Sequence, residues 1–247
     1  MSAKSDQFEI DVANKINMNA GTKATRPPGD TRLSDVAISM YKSKNISPRV
    51  WVEAKMSHTD NLANPRVFYD NGKWDTTYTT PVAEYAVKLL NNSKDAASFI
   101  TNVAKFTGIP RKSIKIPTTK GGLREEGAVP LASMKSFFNQ SGINKYIAND
   151  SNINVGELVT QHYTIGKQEP AYYMQAGDDF YMISNKNPLG LPRNIPLLSG
   201  VGDFKVRVST RSEFYEVQVE LKIKEFRPTS SPYSVFGDGK TKKNPFA

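Results

Sequence analysis

The chain has 247 residues, of which 38% are hydrophobic and 23% are charged, a composition typical of a protein that folds around a packed core. It contains no cysteine and only two histidines. Disulfides, cysteine-ligated zinc and multi-histidine metal sites are therefore excluded, and any metal ion must be held mainly by oxygen atoms. The formal net charge of +9 suits an anionic partner such as a nucleic acid, although solubility alone explains it equally well.

The sequence predicts a protein that stays in the cytoplasm. No apolar run reaches the ~18 residues that a membrane-spanning helix needs, so we expect no membrane partner. Residues 1–11 contain no apolar stretch typical of a signal peptide. A chain of this length suits one large domain, or a core with a sizeable insertion, and no internal repeat is visible.

A helix and a loop are predicted first. Over residues 6–20, apolar side chains recur at the spacing of one helix face, which predicts an amphipathic helix. Glu9 falls on that apolar face with Val12 and Ile16, where an unpaired charge is costly to bury. Residues 21–32 contain Gly, Pro and Thr and are predicted as a loop.

Two strands follow this loop. Residues 33–41 and 49–55 have the composition and alternation of strands, and the polar stretch at 42–48 favours an antiparallel hairpin between them. Successive side chains of a strand point to opposite faces, so Glu53 and Lys55 share one face of the second strand. The two side chains are therefore within reach of one site.

Beyond the hairpin, the sequence predicts an insertion and then further hairpins. In chain order we expect irregular structure at 56–80, two helices over 81–107 broken near 91–93, a basic loop at 108–129, two helical pieces over 130–149 separated at Gly142, a helix at 155–166, and strand hairpins at 170–184 and 203–226. The fold class is α/β (α+β), a mixed sheet core flanked by helices. We expect a single domain over 1–247, with a core motif at 6–56, a helical insertion at about 81–166, C-terminal β-hairpins at about 170–226 and a loose tail at 227–247.

The predicted hairpin carries the groups that phosphodiester hydrolysis needs. Asp35 lies on the first strand, and pairing of the strands would let its carboxylate meet that of Glu53. These carboxylates, with the backbone carbonyl of Ala54, offer oxygen ligands to a hard divalent cation such as Mg²⁺, Mn²⁺ or Ca²⁺. Lys55 can orient or deprotonate the attacking water, or stabilise the developing charge. Glu9 becomes a further ligand if the first helix packs over the strands.

The order of these residues resembles that of the PD-(D/E)XK nucleases, a superfamily of restriction endonucleases, Holliday junction resolvases, some homing endonucleases and phage nucleases. The matching residues are Glu9 on a helix, Ser34-Asp35 on a strand and Glu53-Ala54-Lys55 on the next strand. The stretch Arg26-Pro27-Pro28-Gly29 is similar to the basic glycine loop before this aspartate in resolvase-type members. Ser34 departs from the pattern, because the family often has proline there. The resemblance covers residues 6–56.

The resemblance implies a restriction-endonuclease-like core and a Mg²⁺-dependent DNA endonuclease that is site- or structure-specific and encoded by a phage or mobile element. It implies Asp35, Glu53, Lys55 and Glu9 as catalytic residues, with Asp35, Glu53 and Ala54 holding the metal. Such enzymes often cut both strands as homodimers. The alternatives are an RNA endonuclease with the same core, and a non-catalytic basic nucleic-acid-binding or phage structural protein. A solvated hairpin face would explain the Glu-X-Lys pair without any chemistry.

Basic residues in two loops are candidates for contacts with nucleic acid phosphates. The second of these loops, at 108–129, carries a Gly121-Gly122 pair that permits close approach of a backbone. An ordinary solvated loop explains the same charges equally well. The candidate residues are Arg26, Arg111, Lys112, Lys115, Lys120 and Arg124.

Three further polar residues have both a structural and a functional interpretation. His58 follows the Glu-X-Lys strand and can contact a phosphate, but a loop histidine satisfied by a neighbour is the more common case. Asp178-Asp179 can form a second metal site, although turn chemistry in a hairpin explains the pair more simply.

Overall fold

The computed structural model describes residues 3–27, 35–42, 45–46, 49–141, 145–166 and 169–247. The predicted Pro28-Gly29 loop, Ser34 and Gly142 lie outside these ranges. In chain order the elements are α1 (Ala3–Asn17), β1 (Thr22–Thr25), β2 (Val36–Lys42), β3 (Asn45–Ile46), β4 (Val50–Lys55), β5 (Arg66–Asp70), β6 (Lys73–Asp75), α2 (Pro81–Asn92), α3 (Lys94–Thr107), a 3-10 turn (Gly122–Arg124), α4 (Leu131–Ser141), β7 (Tyr146–Asn154), α5 (Val155–Thr164), β8 (Ala171–Ala176), β9 (Asp179–Met182), β10 (Ser199–Thr210) and β11 (Tyr215–Arg227).

The described chain forms two compact units, each assembled from separate segments of sequence. Unit 1 comprises residues 1–60, 154–202 and 223–247, and unit 2 comprises residues 61–153 and 203–222. Each unit contains both helices and strands, so the α+β fold class is confirmed.

Unit 1 is built on a mixed sheet in the order β1-β2-β4-β8-β9, with β3 paired to β2 at the side of this path. The pairs β1–β2 and β2–β4 are antiparallel, whereas the pair β4–β8 is parallel. The predicted hairpin between the Asp35 and Glu53 strands is therefore confirmed, with Val36 opposite Val52 and Ile38 opposite Val50.

The two faces of this sheet have different roles. Helix α1 packs on the face that presents the even-numbered residues of β1, β2 and β4, and its Val12 and Ile16 are completely buried there. The opposite face, here called the second face, carries the odd-numbered residues because side chains alternate along a strand. Those residues are Lys23, Thr25, Asp35, Ala37, Ser39, Arg49, Trp51, Glu53 and Lys55.

Unit 2 contains most of a second sheet, in the order β6-β5-β11-β10-β7, together with α2, α3 and α4. The predicted break between two helices is confirmed at Ser93. Its hydroxyl accepts a hydrogen bond from the Ala96 amide to cap α3, and its own amide donates to Leu90 at the end of α2. One residue therefore ends one helix and begins the next.

Several sequence predictions were wrong about strands. The predicted loop at 21–32 contains β1, and the polar connection at 42–48 contains β3. The stretch at 56–80, expected to be irregular, contains the hairpin β5–β6, whose turn is made by Asn71 and Gly72 at positive φ. Asn-Gly is a strong hairpin signal, and here it joins strands that contain Phe68, Tyr69 and Trp74.

The second helical piece predicted within 130–149 is also wrong. That stretch begins β7, a strand at the end of the second sheet. Its apolar residues Ile147 and Ala148 are buried, although a local pattern this short does not distinguish strand from helix. Pairing with β10, which is distant in sequence, selects the strand.

The tail from Arg227 is packed rather than loose, contrary to the sequence prediction. Tyr233, Val235 and Phe246 are buried in the hydrophobic core of unit 1. The tail is further held by backbone contacts, since the Phe180 amide donates to the Tyr233 carbonyl at 2.8 Å. The tail is thus anchored at its buried residues, which are Ser231, Tyr233, Ser234, Val235, Pro245 and Phe246, and its other residues are partly or fully exposed.

Candidate active site

Asp35 is bonded directly to the strand that carries Glu53 and Lys55. It lies one residue before the Val36–Val52 pair, and its Oδ2 accepts a hydrogen bond from the Ala54 amide at 2.9 Å. The side chain is 17% exposed, so the carboxylate is largely withdrawn from water but still reachable. The antiparallel register thus places this carboxylate at the Glu-X-Lys segment.

Glu53 and Lys55 are in contact on the second face, as the alternation predicts. Lys55 Nζ donates to Glu53 Oε1 at 2.5 Å and lies 3.9 Å from Asp35 Oδ2. The ammonium group therefore contacts both carboxylates. Tyr163 of α5, which is fully buried, donates its hydroxyl to Glu53 Oε1 at 3.0 Å.

Burial and mutual repulsion dominate the electrostatics of this cluster. Burial, and then the charge of Glu53, raises the pKa of Asp35 from 3.8 to about 7. Burial alone would lower the pKa of Lys55, but the charges of Glu53, Tyr163 and Asp35 outweigh it and raise that pKa well above 10.5. Lys55 is therefore a stable cation at neutral pH, whereas Asp35 exchanges a proton there.

The donor set fits a hard divalent cation. Asp35, Glu53 and the Ala54 backbone supply oxygen atoms, and Mg²⁺ is commonly held by one or two carboxylates together with water and substrate phosphate. Within the described ranges, no three Asp, Glu or His side chains form a group that could hold a metal ion. A cation held here would take its remaining ligands from water and substrate.

Glu9 is buried on α1, as predicted, but its partner is an arginine. Arg26 Nε lies 2.6 Å from Glu9 Oε2, and its Nη2 lies 2.6 Å from Asp6 Oδ1. This ion pair compensates the burial of Glu9. A metal-ligand role for Glu9 stays a prediction, and Arg26 reaches nucleic acid only with its charge already shared between two carboxylates.

The predicted basic loop exists, but its charges are of two kinds. Lys115 pairs with Glu125 at 2.9 Å, and Lys120 pairs with Glu213 at 2.9 Å. The others, which are exposed and form no ion pair with any residue that the structure describes, are Arg111, Lys112 and Arg124. These three are the better placed to contact phosphates.

His58 and Asp179 form a pair in unit 1. His58 Nε2 lies 3.0 Å from Asp179 Oδ2, and the second oxygen of Asp179 accepts hydrogen bonds from Lys242 Nζ at 2.6 Å and from the Ser231 amide at 2.5 Å. These contacts tie the hairpin β8–β9 to the C-terminal tail. They support the structural interpretation of His58 and of the Asp178-Asp179 pair.

Tyr163 is the residue that the sequence interpretation missed. It lies 110 positions after Glu53, on a helix that was predicted without any role in the site. A buried tyrosine usually finds a hydrogen-bond partner. That rule flags the side chain, but only the packing of α5 on the second face identifies the partner as Glu53.

Within the described part of the chain, no helix is both long and apolar enough to cross a membrane.

Known proteins that are similar to this chain are few and distant. No protein-family model and no curated protein matches the chain. Among solved structures it is similar to HhaI endonuclease in complex with DNA, at 12% identity over 92% of this chain and 88% of that chain, with a TM-score of 0.27. A likeness this weak assigns neither a site nor an activity.

Proposed function

We propose that the chain is a metal-dependent DNA endonuclease that hydrolyses phosphodiester bonds at Asp35, Glu53 and Lys55. The observation that supports this proposal is the contact of one lysine with two withdrawn carboxylates on paired strands. A surface ion pair would be exposed and would leave the pKa of its members near their usual values. Here burial keeps like charges together, which is typical of a site that receives a cation.

Each side chain has a distinct part in the proposed reaction. Asp35 and Glu53, with the carbonyl of Ala54, would hold Mg²⁺ or Mn²⁺. The bound cation would polarise the scissile phosphate and lower the pKa of a water. Lys55 would orient or activate that water, or stabilise charge on the phosphate oxygens.

Tyr163 would position this machinery. Its hydroxyl donates to the same Glu53 oxygen that Lys55 contacts, at 3.0 Å and 2.5 Å respectively. Two donors on one oxygen fix the rotation of the Glu53 carboxylate. The second oxygen is then presented in a defined direction.

The direct experiment incubates the protein with supercoiled plasmid, linear duplex, branched DNA and RNA, in Mg²⁺ or in EDTA. We expect DNA to be cut in Mg²⁺ only, and not by Asp35→Asn or Glu53→Gln. Calorimetric titration with Mn²⁺ should show loss of binding in the same two variants, because a hard cation needs carboxylate charge. A variant of an exposed acid in unit 2, Asp95→Asn, is the control.

The possible outcomes separate the alternatives. Cleavage of RNA alone would replace this proposal with an RNA endonuclease. Binding of nucleic acid that is indifferent to Mg²⁺, with no cleavage of any substrate, would indicate a binding protein. Unchanged Mn²⁺ affinity in both carboxylate variants would remove the metal from this site. The same assays, with analytical ultracentrifugation, test the predicted homodimer.

A further inference from the structure

The second face of the unit 1 sheet continues beyond the proposed catalytic residues as a trough. A cavity of about 320 Å³ is lined there by Lys23, Thr25, Ala37, Ser39 and Arg49. All five of these side chains are small or end in a positive charge, and none is acidic. The cavity exists because Thr25, Ala37 and Ser39 have short side chains at positions where longer ones would fill the space.

Strand register arranges this face in rows that cross the strands. The first row holds Lys23 opposite Ser39, with Arg49 on the far side of Ser39, one residue beyond the Ile38–Val50 pair. Its two ends are cationic and its centre is a hydroxyl.

The second row holds Thr25, Ala37 and Trp51, which are paired in the same register. The third row holds Asp35 and Glu53, one residue beyond the Val36–Val52 pair. Same-face residues along a strand are about 7 Å apart, so the cationic row lies about 14 Å from the carboxylates.

Neither cation of the first row is neutralised by an acidic side chain of the described chain. Lys23 and Arg49 are exposed, and neither forms an ion pair with another described residue. The carboxylate of Glu169 accepts a hydrogen bond from the indole of Trp51, the residue that Arg49 stacks on, and makes no ion pair with Arg49.

Arg49 is also held in place. Its guanidinium lies 4.9 Å from the centre of the Trp51 ring, a cation–π contact, and Trp51 itself is buried. An arginine stacked in this way loses less conformational entropy when it binds an anion, and its remaining N–H groups match phosphate geometry. Lys23, at the other end of the row, adds a second positive charge, and no acidic side chain lines the trough to compete with a phosphate for it.

We propose that this trough binds phosphates of the DNA strand that is cut, a few nucleotides from the scissile bond. The proposal rests on the proposed function, because the distance from Asp35 and Glu53 on the same face is what makes the trough part of the substrate path. A continuous polyanion such as a DNA strand can place one phosphate at a cation held by the carboxylates. It can place another at the cationic row about 14 Å away on the same sheet face.

The test combines a protein variant with a neutral phosphate. Fluorescence anisotropy across a salt series would compare the wild type with Lys23→Ala/Arg49→Ala and with a matched control, Lys94→Ala/Lys105→Ala, which removes two exposed charges from α3. We expect the slope of log K against log salt to fall by about 1.8 in the trough variant on duplex DNA and by much less in the control.

The position of the contact is tested with methylphosphonate duplexes, each with one neutral linkage within a few nucleotides of the cleaved bond. We expect the neutral linkage at one of these positions to weaken DNA binding by the wild type severalfold. The same linkage should not change the affinity of the trough variant. Equal slopes for the trough variant and the wild type, or equal reductions of the slope in the trough and control variants, would overturn the proposal. Arg49→Lys keeps the positive charge, so its slope shows whether a change seen in the alanine variant comes from lost charge or from misfolding.

These measurements separate the trough from the proposed activity. The slopes of log K against log salt are measured in Ca²⁺ or EDTA, and this binding measurement does not depend on cleavage. A protein that cuts DNA but shows no slope change in the trough variant contradicts the trough alone. A protein that shows the slope change but cuts nothing contradicts the proposed function, and the trough is then a phosphate-binding surface with no reaction beside it.

Discussion

At the scale of single residues, Lys55 is the side chain on which the proposed chemistry most depends. It contacts Glu53 at 2.5 Å and approaches Asp35 to 3.9 Å, and neighbouring negative charge keeps it protonated. The charge of this lysine and its position against both carboxylates are therefore what the prediction below tests.

We expect Lys55→Ala to reduce the rate of DNA cleavage by about 10²–10³-fold, the range typical of removing a charge-stabilising donor. DNA affinity should be retained, because phosphate contacts elsewhere position the substrate. Single-turnover cleavage and anisotropy binding would be measured side by side, with circular dichroism to confirm the fold. Lys55→Arg serves as the charge-retaining comparison. A rate near that of the wild type in Lys55→Ala would contradict the assignment.

At the scale of elements, the basic loop of unit 2 supplies an internal contrast. Its exposed members Arg111, Lys112 and Arg124 form no ion pair within the described chain, whereas Lys115 and Lys120 pair with glutamates. A cation that already has a carboxylate partner gains less from a phosphate, since the partner must be displaced. The two sets should therefore differ in their effect on DNA binding.

We expect the triple variant Arg111→Ala/Lys112→Ala/Arg124→Ala to reduce the slope of log K against log salt by up to ~2.7, because each phosphate that is no longer neutralised lowers the slope by about 0.9. Lys115→Ala/Lys120→Ala should reduce it by less for each charge removed. The reduction should be similar for all DNA sequences. A slope identical to that of the wild type in the triple variant would show that this loop is only a solvated surface.

The C-terminal tail is a second element with a measurable contribution. Phe246 is buried against Phe180 of β9, with ring centres 5.7 Å apart, in the same core cluster as Tyr233 and Val235. Removal of a buried aromatic side chain leaves a cavity and forfeits its transfer free energy.

We expect Phe246→Ala to lower the free energy of unfolding by about 3 kcal/mol, measured by urea denaturation. Lys240→Ala, at an exposed position of the same tail, should change it by less than about 0.5 kcal/mol. A Phe246→Ala variant as stable as the wild type would mean that the tail does not complete the core in solution.

At the scale of the whole molecule, Asp35 links global stability to pH. Burial and the charge of Glu53 raise its pKa from 3.8 to about 7 in the folded chain. The folded state therefore holds a proton that the unfolded state releases. The resulting stabilisation is complete below about pH 4 and is lost as the pH rises through about 7.

We expect the melting temperature of the metal-free protein to fall between about pH 4 and pH 8, relative to that of Asp35→Asn. The variant carries no titrating group at this position, so the difference between the two curves isolates Asp35. Differential scanning calorimetry in EDTA would measure it, and added Mg²⁺ should restore stability at the upper end, where the carboxylate is charged. A difference that is constant with pH would contradict the shifted pKa.

Several elements of the described chain could be predicted from the spacing of neighbouring residues alone. Period-two alternation identified β4 and the shared face of Glu53 and Lys55, and helical spacing identified the buried face of α1. Both are properties of a few neighbouring residues, and they depend only on backbone geometry. The helix break at Ser93 was predictable for the same reason.

Tertiary structure decided which groups meet. The Ala54 amide engages Asp35, Tyr163 reaches Glu53 from 110 residues away, and Arg26 pairs with Glu9. None of these contacts follows from periodicity, because each depends on how separate segments pack. The sequence by itself determined the strand pair and its carboxylate–lysine face. Whether those carboxylates would lie withdrawn from water, with the pKa of Asp35 raised, depended on the packing of α5 and of the distant strand β8, since burial is a property of the assembled fold.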